Sequence, residues 1–105
     1  MSFLPNARHV QIDPTKLTYL LTTGKVKFFI LHGFDPHNPQ VSETALREHQ
    51  IRNQIESASQ TLHGIKYTIR CLMPSPDRRN PCALTVWIVD TGQGEARFVT
   101  GYASP

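Results

Sequence analysis

Residues 64–102 read GIKYTIRCLMPSPDRRNPCALTVWIVDTGQGEARFVTGY, and this stretch decides the fold. It contains three segments rich in β-branched and aromatic residues, at 65–71, 83–89 and 96–102. Such segments, bounded by turn residues, are typical of β-strands. Proline-rich residues 74–81 and glycine-rich residues 91–95 can join neighbouring strands as hairpin turns. The stretch therefore predicts three consecutive strands of an antiparallel meander.

Apolar and polar side chains alternate along the first two strands, as expected for a sheet with one buried face. In the first strand the predicted core side holds Ile65, Tyr67, Ile69 and Cys71, and the open side holds Lys66, Thr68 and Arg70. In the second, the predicted core side holds Leu84, Val86 and Ile88, and the open side holds Thr85 and Trp87. The last strand has two interpretations. Thr100 and Tyr102 either share the core side with Phe98 or lie on the open side while Val99 faces the core.

Upstream of these strands the sequence favours helices. Asp13 followed by Pro14 is a typical helix start. An apolar stripe at helical spacing follows it, formed by Leu17, Leu20 and Leu21. Residues 25–31 fit a helix or a strand, and we favour the helix.

A longer helix is expected to begin at Asn38 with Pro39, or at Ser42, and to run to residue 52. Its predicted inward side chains are Val41, Ala45 and Leu46. Residues 53–60 fit a weak edge strand. Together these elements predict a single α+β domain over residues 1–105. Two or three N-terminal helices, within about residues 13–52, pack on one face of a four-stranded antiparallel meander over about residues 53–102.

Composition and charge set limits on the class of protein. Eleven Lys and Arg against eight Asp and Glu give a net charge of +3, which permits binding to an anion such as RNA. No apolar run is long enough to span a membrane, so no membrane partner is expected. The first residues lack the basic and apolar regions of a secretory signal, and a cytoplasmic location is therefore expected.

Two cysteines, Cys71 and Cys82, flank the hairpin turn. A cross-strand disulfide between them is geometrically conceivable. Because the expected compartment is reducing, we favour the interpretation that the two cysteines are buried thiols.

The sequence shows no metal or cofactor signature, and no cofactor is expected. His32, Asp35 and His37 lie close together in the chain but are interpreted as solvated loop residues. His49 is placed on the polar side of its helix, where it is most simply a surface residue.

The predicted open face carries cations, hydroxyl groups and one aromatic ring, the side chains that hold phosphates and stack bases. Metal-independent RNA cleavage needs such groups. A base takes the 2′-hydroxyl proton, a cation stabilises the phosphorane, and an acid protonates the leaving oxygen.

Several short motifs resemble those of an uncharacterised bacterial family of small domains. The matching residues are Lys16, Leu17, Tyr19, Leu20 and Leu21; Gly24, Lys25, Lys27, Phe28, Phe29, Gly33 and Phe34; Gly64, Lys66 and Tyr67; Thr85, Val86 and Trp87; and Arg97, Val99, Thr100 and Tyr102. Members of that family occur alone and at the ends of larger toxin-like proteins, and the resemblance implies no particular activity. This chain departs from the family in lacking a His before Gly24 and in ending differently after Thr100. The predicted architecture is also similar to the fold of the barnase, EndoU, colicin and RelE-type ribonuclease toxins.

The leading hypothesis is a metal-independent endoribonuclease-like toxin domain that acts on RNA. Its predicted catalytic residues are Lys25, His49, Arg70, Arg97, Thr100 and Tyr102. The alternative is a non-catalytic protein-interaction module of a two-gene system. It would be a homodimer pairing through the edge strand near Ile55, or a partner of antitoxin or immunity type, with an exposed Trp87 as an anchor.

Overall fold

The computed structural model describes residues 2–22 and 27–104 of the chain. Over these residues a 3-10 turn at Ala7–His9 is followed by three helices: α1 (Pro14–Thr22), α2 (Lys27–Leu31) and α3 (Pro39–Arg52). Four strands follow: β1 (Ile55–Gln60), β2 (Gly64–Leu72), β3 (Cys82–Asp90) and β4 (Arg97–Ala103). They form one antiparallel sheet in the order β1-β2-β3-β4. The predicted α+β fold, with N-terminal helices and a four-stranded meander, is confirmed.

The helix starts follow the local chemistry of the sequence. Pro14 opens α1, and the carboxylate of Asp13 accepts a hydrogen bond from the Thr15 amide at 2.8 Å. Pro39 opens α3 after Asn38, so the alternative start at Ser42 is wrong. Val41 is 39% exposed rather than inward-facing, whereas Ala45 and Leu46 are buried as predicted.

The sheet has two different faces, which we call inner and outer. The inner face packs against the helices in one core cluster, to which β2, β3 and β4 contribute Ile69, Ala83, Trp87 and Phe98. The helices contribute Leu17, Leu20, Leu21, Phe29, Ala45 and Leu46. The outer face carries Lys66, Thr68 and Arg70 of β2; Leu84, Val86 and Ile88 of β3; and Arg97, Thr100 and Tyr102 of β4. The predicted open side of β2 is therefore the outer face.

The predicted faces of β3 are the wrong way round. Thr85 and Trp87 are fully buried on the inner face, while Leu84, Val86 and Ile88 lie on the outer face. Burial of these polar groups is tolerated because each has a partner. The indole Nε1 of Trp87 donates to Thr85 Oγ1 at 2.8 Å, and Thr85 Oγ1 lies 3.1 Å from Nδ1 of His49. The Trp87 ring also packs edge-on against Phe98, with centroids 5.3 Å apart.

The two cysteines form a disulfide, so the interpretation as free thiols is wrong. The register pairs Cys71 with Ala83 and Leu72 with Cys82, which places the cysteines on adjacent rungs of the β2–β3 ladder. Their Cα atoms are 3.9 Å apart. The bond closes the base of the loop that joins the two strands.

Candidate functional site

Four of the six predicted catalytic residues lie on the outer face, spread over its three rows. Cross-strand pairing arranges that face in three rows: Arg70–Leu84–Tyr102, Thr68–Val86–Thr100 and Lys66–Ile88–Arg97. Neighbours in such rows have side chains on the same side of the sheet. The rows therefore place Arg70, Arg97, Thr100 and Tyr102 on one face, and their predicted catalytic roles stay a prediction.

A β-bulge in β4 puts Thr100 and Tyr102 on this face. The register shifts so that Phe98 pairs with Trp87 on the inner face, whereas Thr100 pairs with Val86 on the outer face. One extra residue in the strand reverses the alternation beyond it. Neither sequence interpretation of β4 is right, because Phe98 faces the core and Thr100 and Tyr102 do not.

Arg70 links β1 to the residue that follows β4 at one corner of the outer face. Its Nε donates to both carboxylate oxygens of Glu56, at 3.0 and 2.9 Å, and its Nη1 donates to Oγ of Ser104. Tyr102, which is 44% exposed, occupies the same cross-strand row as Arg70. We call Glu56, Arg70, Tyr102 and Ser104 the Arg70 corner. It places a carboxylate, a guanidinium and two hydroxyl groups at one end of the sheet.

Glu56 was not among the residues predicted for the site. It lies in β1 where the register with β2 shifts between Ile55 and Ser57. Because a bulge changes the direction of side chains, simple alternation along residues 53–60 gives no signal for this contact. The one sequence feature that suggests an acidic partner is Arg70 itself, a basic residue on the strand next to the predicted edge strand.

Arg97 is held by an acidic partner at the other end of the face. Its Nε and Nη2 donate to the two carboxylate oxygens of Asp90, at 2.7 and 3.2 Å. The hydrogen bond from Arg97 lowers the pKa of Asp90, and the same bond raises the pKa of Arg97. The pair is partly exposed to solvent. Lys66 in the same row is exposed.

His49 lies on the other side of the sheet, in the core. It is fully buried, and the prediction of a surface residue is wrong. Its Nε2 lies 3.2 Å from the carbonyl oxygen of Ala83, and its Nδ1 lies 3.1 Å from Thr85 Oγ1. Burial lowers the pKa of His49, against a smaller upward effect of hydrogen bonds to the backbone of Cys71 and Ala83. His49 is therefore separated from the outer face, and Lys25 lies outside the described residues.

A second polar cluster joins the turn after α2 to the β2–β3 loop. Nδ1 of His32 lies 3.0 Å from Oδ2 of Asp77, and Oγ of Ser75 donates to Oδ1 of the same carboxylate at 2.5 Å. The bond from Ser75 is the main reason that the pKa of Asp77 is lowered. His32 and Asp77 are 45 residues apart in sequence, so the interpretation of His32 as a solvated loop residue missed this contact.

Within residues 2–22 and 27–104, no three His, Cys, Asp or Glu side chains are grouped so that they could hold a metal ion. None of the helices described in the structure has the length and apolar character needed to cross a bilayer.

Comparison with known proteins places the chain in a family. A family profile described as "Domain of unknown function (DUF6883)" matches residues 3–105. The chain belongs to this family. The expectation of an uncharacterised family is thereby confirmed. No curated protein matches the chain. No solved structure matches it, and the similarity to ribonuclease toxins is without support from these comparisons.

Proposed function

We propose that the outer face binds single-stranded RNA and that the Arg70 corner cleaves it without a metal ion. One observation carries the proposal: the Arg70 guanidinium bridges Glu56 and Ser104, and Tyr102 lies in the same cross-strand row, on the far side of Leu84. Phosphodiester transesterification needs a base, a cation and an acid around one phosphate. The corner supplies one side chain of each kind.

The proposed chemistry is a transfer within the RNA chain. Glu56 accepts the proton of a 2′-hydroxyl group, whose oxygen bonds to the adjacent phosphorus. Arg70 donates hydrogen bonds to the phosphorane oxygens as their negative charge rises. The bond from phosphorus to the 5′-oxygen breaks, and the phenol of Tyr102 protonates that oxygen. The products are a 2′,3′-cyclic phosphate and a 5′-hydroxyl, and a water molecule returns the proton from Glu56 to Tyr102.

The bond between Glu56 and Arg70 fits this use. An arginine has five N–H donors, and the pair engages one of them, Nε–H, with both carboxylate oxygens. The pairing holds the carboxylate in place next to the guanidinium, so a phosphate bound by Arg70 has its neighbouring 2′-hydroxyl group near Glu56. Three more polar side chains lie further along the same face and are assigned to binding the RNA strand: Thr100, Lys66 and Arg97.

The test is cleavage of a labelled single-stranded oligoribonucleotide by the purified domain in the presence of a chelator. Glu56→Gln and Arg70→Ala are each expected to slow cleavage by about 100-fold or more. The matched control is the double variant Glu48→Gln/Arg52→Ala, which removes an exposed ion pair of the same kind, with Nε and Oε2 2.9 Å apart, from α3. Unchanged cleavage in Arg70→Ala, with the fold intact, would contradict the proposal.

A second candidate function rests on a different observation, the exposure of the edge strand. Five of the six residues of β1 are exposed, and β1 contains no proline to block further pairing. We propose as the alternative that two copies of the chain pair β1 to β1 and extend the sheet across the dimer. A dimer mass in light scattering that reverts to the monomer in Ala58→Pro would support it, and a monomer in the unaltered chain would refute it.

A further inference from the structure

Residues 74–81 form a loop that presents two adjacent arginines to solvent. We call this segment the arginine loop. Both Arg78 and Arg79 are exposed, and the Arg79 side chain is 77% accessible. The contact of Arg79 with an acid is distant, with 3.8 Å between Nε and Oδ2 of Asp77. Across residues 2–22 and 27–104, no ion pair includes Arg78. These two guanidinium groups are therefore less neutralised than those of Arg70 and Arg97.

The arginine loop is braced by hydrogen bonds within itself. Asp77 Oδ1 accepts from Oγ of Ser75 and, at 3.1 Å, from the amide of Arg79. Ser75 and Asn80 are joined twice, because the amide of each donates at 3.1 Å to the side-chain oxygen of the other. These contacts fix the backbone on both sides of the arginine pair.

The arginine loop is also anchored to the body of the protein. The carboxylate of Asp77 holds Nδ1 of His32 at 3.0 Å, and the Asp77 amide donates to the carbonyl of His32 at 3.3 Å. A Cβ at Gly33 would lie 3.1 Å from Cβ of Pro76, so the turn after α2 and the loop are in close contact there. The Cys71–Cys82 disulfide closes the base of the loop. A surface loop with this many restraints loses little conformational entropy when it binds a ligand.

We infer that the arginine loop is a second, preorganised binding element for RNA phosphates, outside the Arg70 corner. Arginine is suited to this because its planar fork of donors matches a phosphate group. The inference rests on the proposed function only in taking single-stranded RNA as the ligand. It assigns binding, not chemistry, to Arg78 and Arg79.

The experiment measures the affinity of the full chain for a fluorescein-labelled oligoribonucleotide whose 2′-hydroxyls are methylated, so that it cannot be cleaved. Anisotropy is followed over a salt series. Arg78→Ala/Arg79→Ala is expected to weaken binding about tenfold and to reduce the salt slope by about 1.4, or 0.7 for each lost phosphate contact. The control Arg8→Ala/Lys16→Ala removes the same charge elsewhere and is expected to stay within about threefold of the unaltered chain. Equal losses in the two variants would overturn the inference.

A second variant separates a preorganised loop from a simple excess of positive charge. Asp77→Ala keeps both arginines and raises the net charge by one, but removes the bonds to His32, Ser75 and the Arg79 amide. Preorganisation predicts weaker binding, by about threefold, in spite of the added positive charge. Tighter binding, in a variant whose thermal unfolding midpoint equals that of the unaltered chain, would overturn the inference. Should Asp77→Ala fail to fold, Asn80→Ala is measured instead, with the same two outcomes.

The outcomes also distinguish this inference from the proposed cleavage. Binding that depends on Arg78 and Arg79, in a chain that does not cleave RNA, supports the inference and refutes the cleavage. Cleavage that depends on Arg70, together with binding that does not change when Arg78 and Arg79 are replaced, supports the proposed cleavage and refutes the inference. A chain that shows no salt-dependent RNA binding overturns the inference directly.

Discussion

The indole nitrogen of Trp87 donates to the hydroxyl oxygen of Thr85 at 2.8 Å, and this bond lies wholly inside the core. A second hydrogen bond joins the same hydroxyl group to His49. Because Nε2 of His49 faces the carbonyl of Ala83, that nitrogen carries the proton, and Nδ1 accepts from the Thr85 hydroxyl at 3.1 Å. The three side chains form a buried polar chain between α3 and β3. This hydrogen-bonded series explains why β3 carries Thr85 and Trp87, which the sequence pattern assigned to an open face.

Thr85→Val tests the energy of this buried chain. The substitution keeps the shape of the side chain but leaves the Trp87 N–H and the His49 Nδ1 without partners. We expect the free energy of unfolding to fall by about 2–3 kcal/mol, measured by urea denaturation. Thr68→Val on the outer face is the control and should change it by less than about 0.5 kcal/mol. Equal effects at the two positions would show that the buried bonds contribute nothing.

His49 predicts a pH dependence of stability. Burial lowers the pKa of His49 in the folded state below its ordinary value of 6.5. As the pH falls below 6.5, the unfolded chain binds a proton that the folded chain excludes. Stability is therefore complete above that value and decreases down to the folded-state pKa, by at most about 1.4 kcal/mol per pH unit.

The measurement is denaturant unfolding between about pH 7.5 and pH 5, where stability should fall by the linkage of a single proton. In His49→Gln this slope should flatten. Asp77 and Asp90 do not interfere, because carboxyl groups with a lowered pKa contribute losses only as the pH falls below their ordinary value of 3.8. A slope that persists in His49→Gln would show that another group is responsible.

Gly64 is predicted to be irreplaceable at the start of β2. Its φ is +150°, and a Cβ would lie 2.1 Å from the carbonyl oxygen of Val89 and 2.8 Å from Cα of Asp90. Both are backbone atoms of β3, which cannot move aside without disrupting the sheet. Gly64→Ala should therefore destabilise the protein by about 3 kcal/mol or more in thermal or urea unfolding.

Gly92→Ala is the matched control for this substitution. Gly92 also has a positive φ, +83°, but nothing lies within 4 Å of the position that an alanine methyl group would occupy. Only the backbone preference of about 1 kcal/mol is therefore lost. Comparable losses at both glycines would mean that the contact with β3 is unimportant.

The disulfide makes a prediction about stability under reducing conditions. Cys71 and Cys82 are 11 residues apart, and cross-linking a loop of this size restricts the unfolded chain by about 3 kcal/mol in the chain-entropy description. The double variant Cys71→Ser/Cys82→Ser should be less stable by about that amount, and should no longer respond to a reductant. Two titratable thiols in the native, unreduced protein would contradict the disulfide.

Much of the fold could be predicted from the sequence, because period and turn chemistry act locally. The Asp13-Pro14 start, the leucine stripe of α1 and the alternation of β2 all led to the observed elements. The faces of β3 and β4 could not be predicted in the same way. β3 is apolar on both sides, with Val86 facing out and Trp87 facing in, so its alternation does not identify the buried face. In β4 the bulge near Val99 reverses the alternation, and no turn residue marks it.

The candidate site was predictable only in part, for a different physical reason. Lys66, Thr68 and Arg70 of the outer face follow from the alternation of β2, but the partners of the outer-face groups depend on the tertiary register. Glu56 and Arg70 are 14 residues apart, and His32 and Asp77 are 45 apart. His49 shows the same limit. Its position in a helical sequence does not indicate that it is buried or that its partner is Thr85 on β3.

RNA cleavage at the Arg70 corner is tested most directly by inducible expression in a bacterial host, with growth followed by culture density and total RNA by electrophoresis. We expect arrested growth and fragmented RNA for the unaltered chain and for Glu48→Gln/Arg52→Ala, and normal growth with intact RNA for Arg70→Ala. Soluble, folded, unaltered protein that leaves growth and RNA intact would contradict cleavage at this corner.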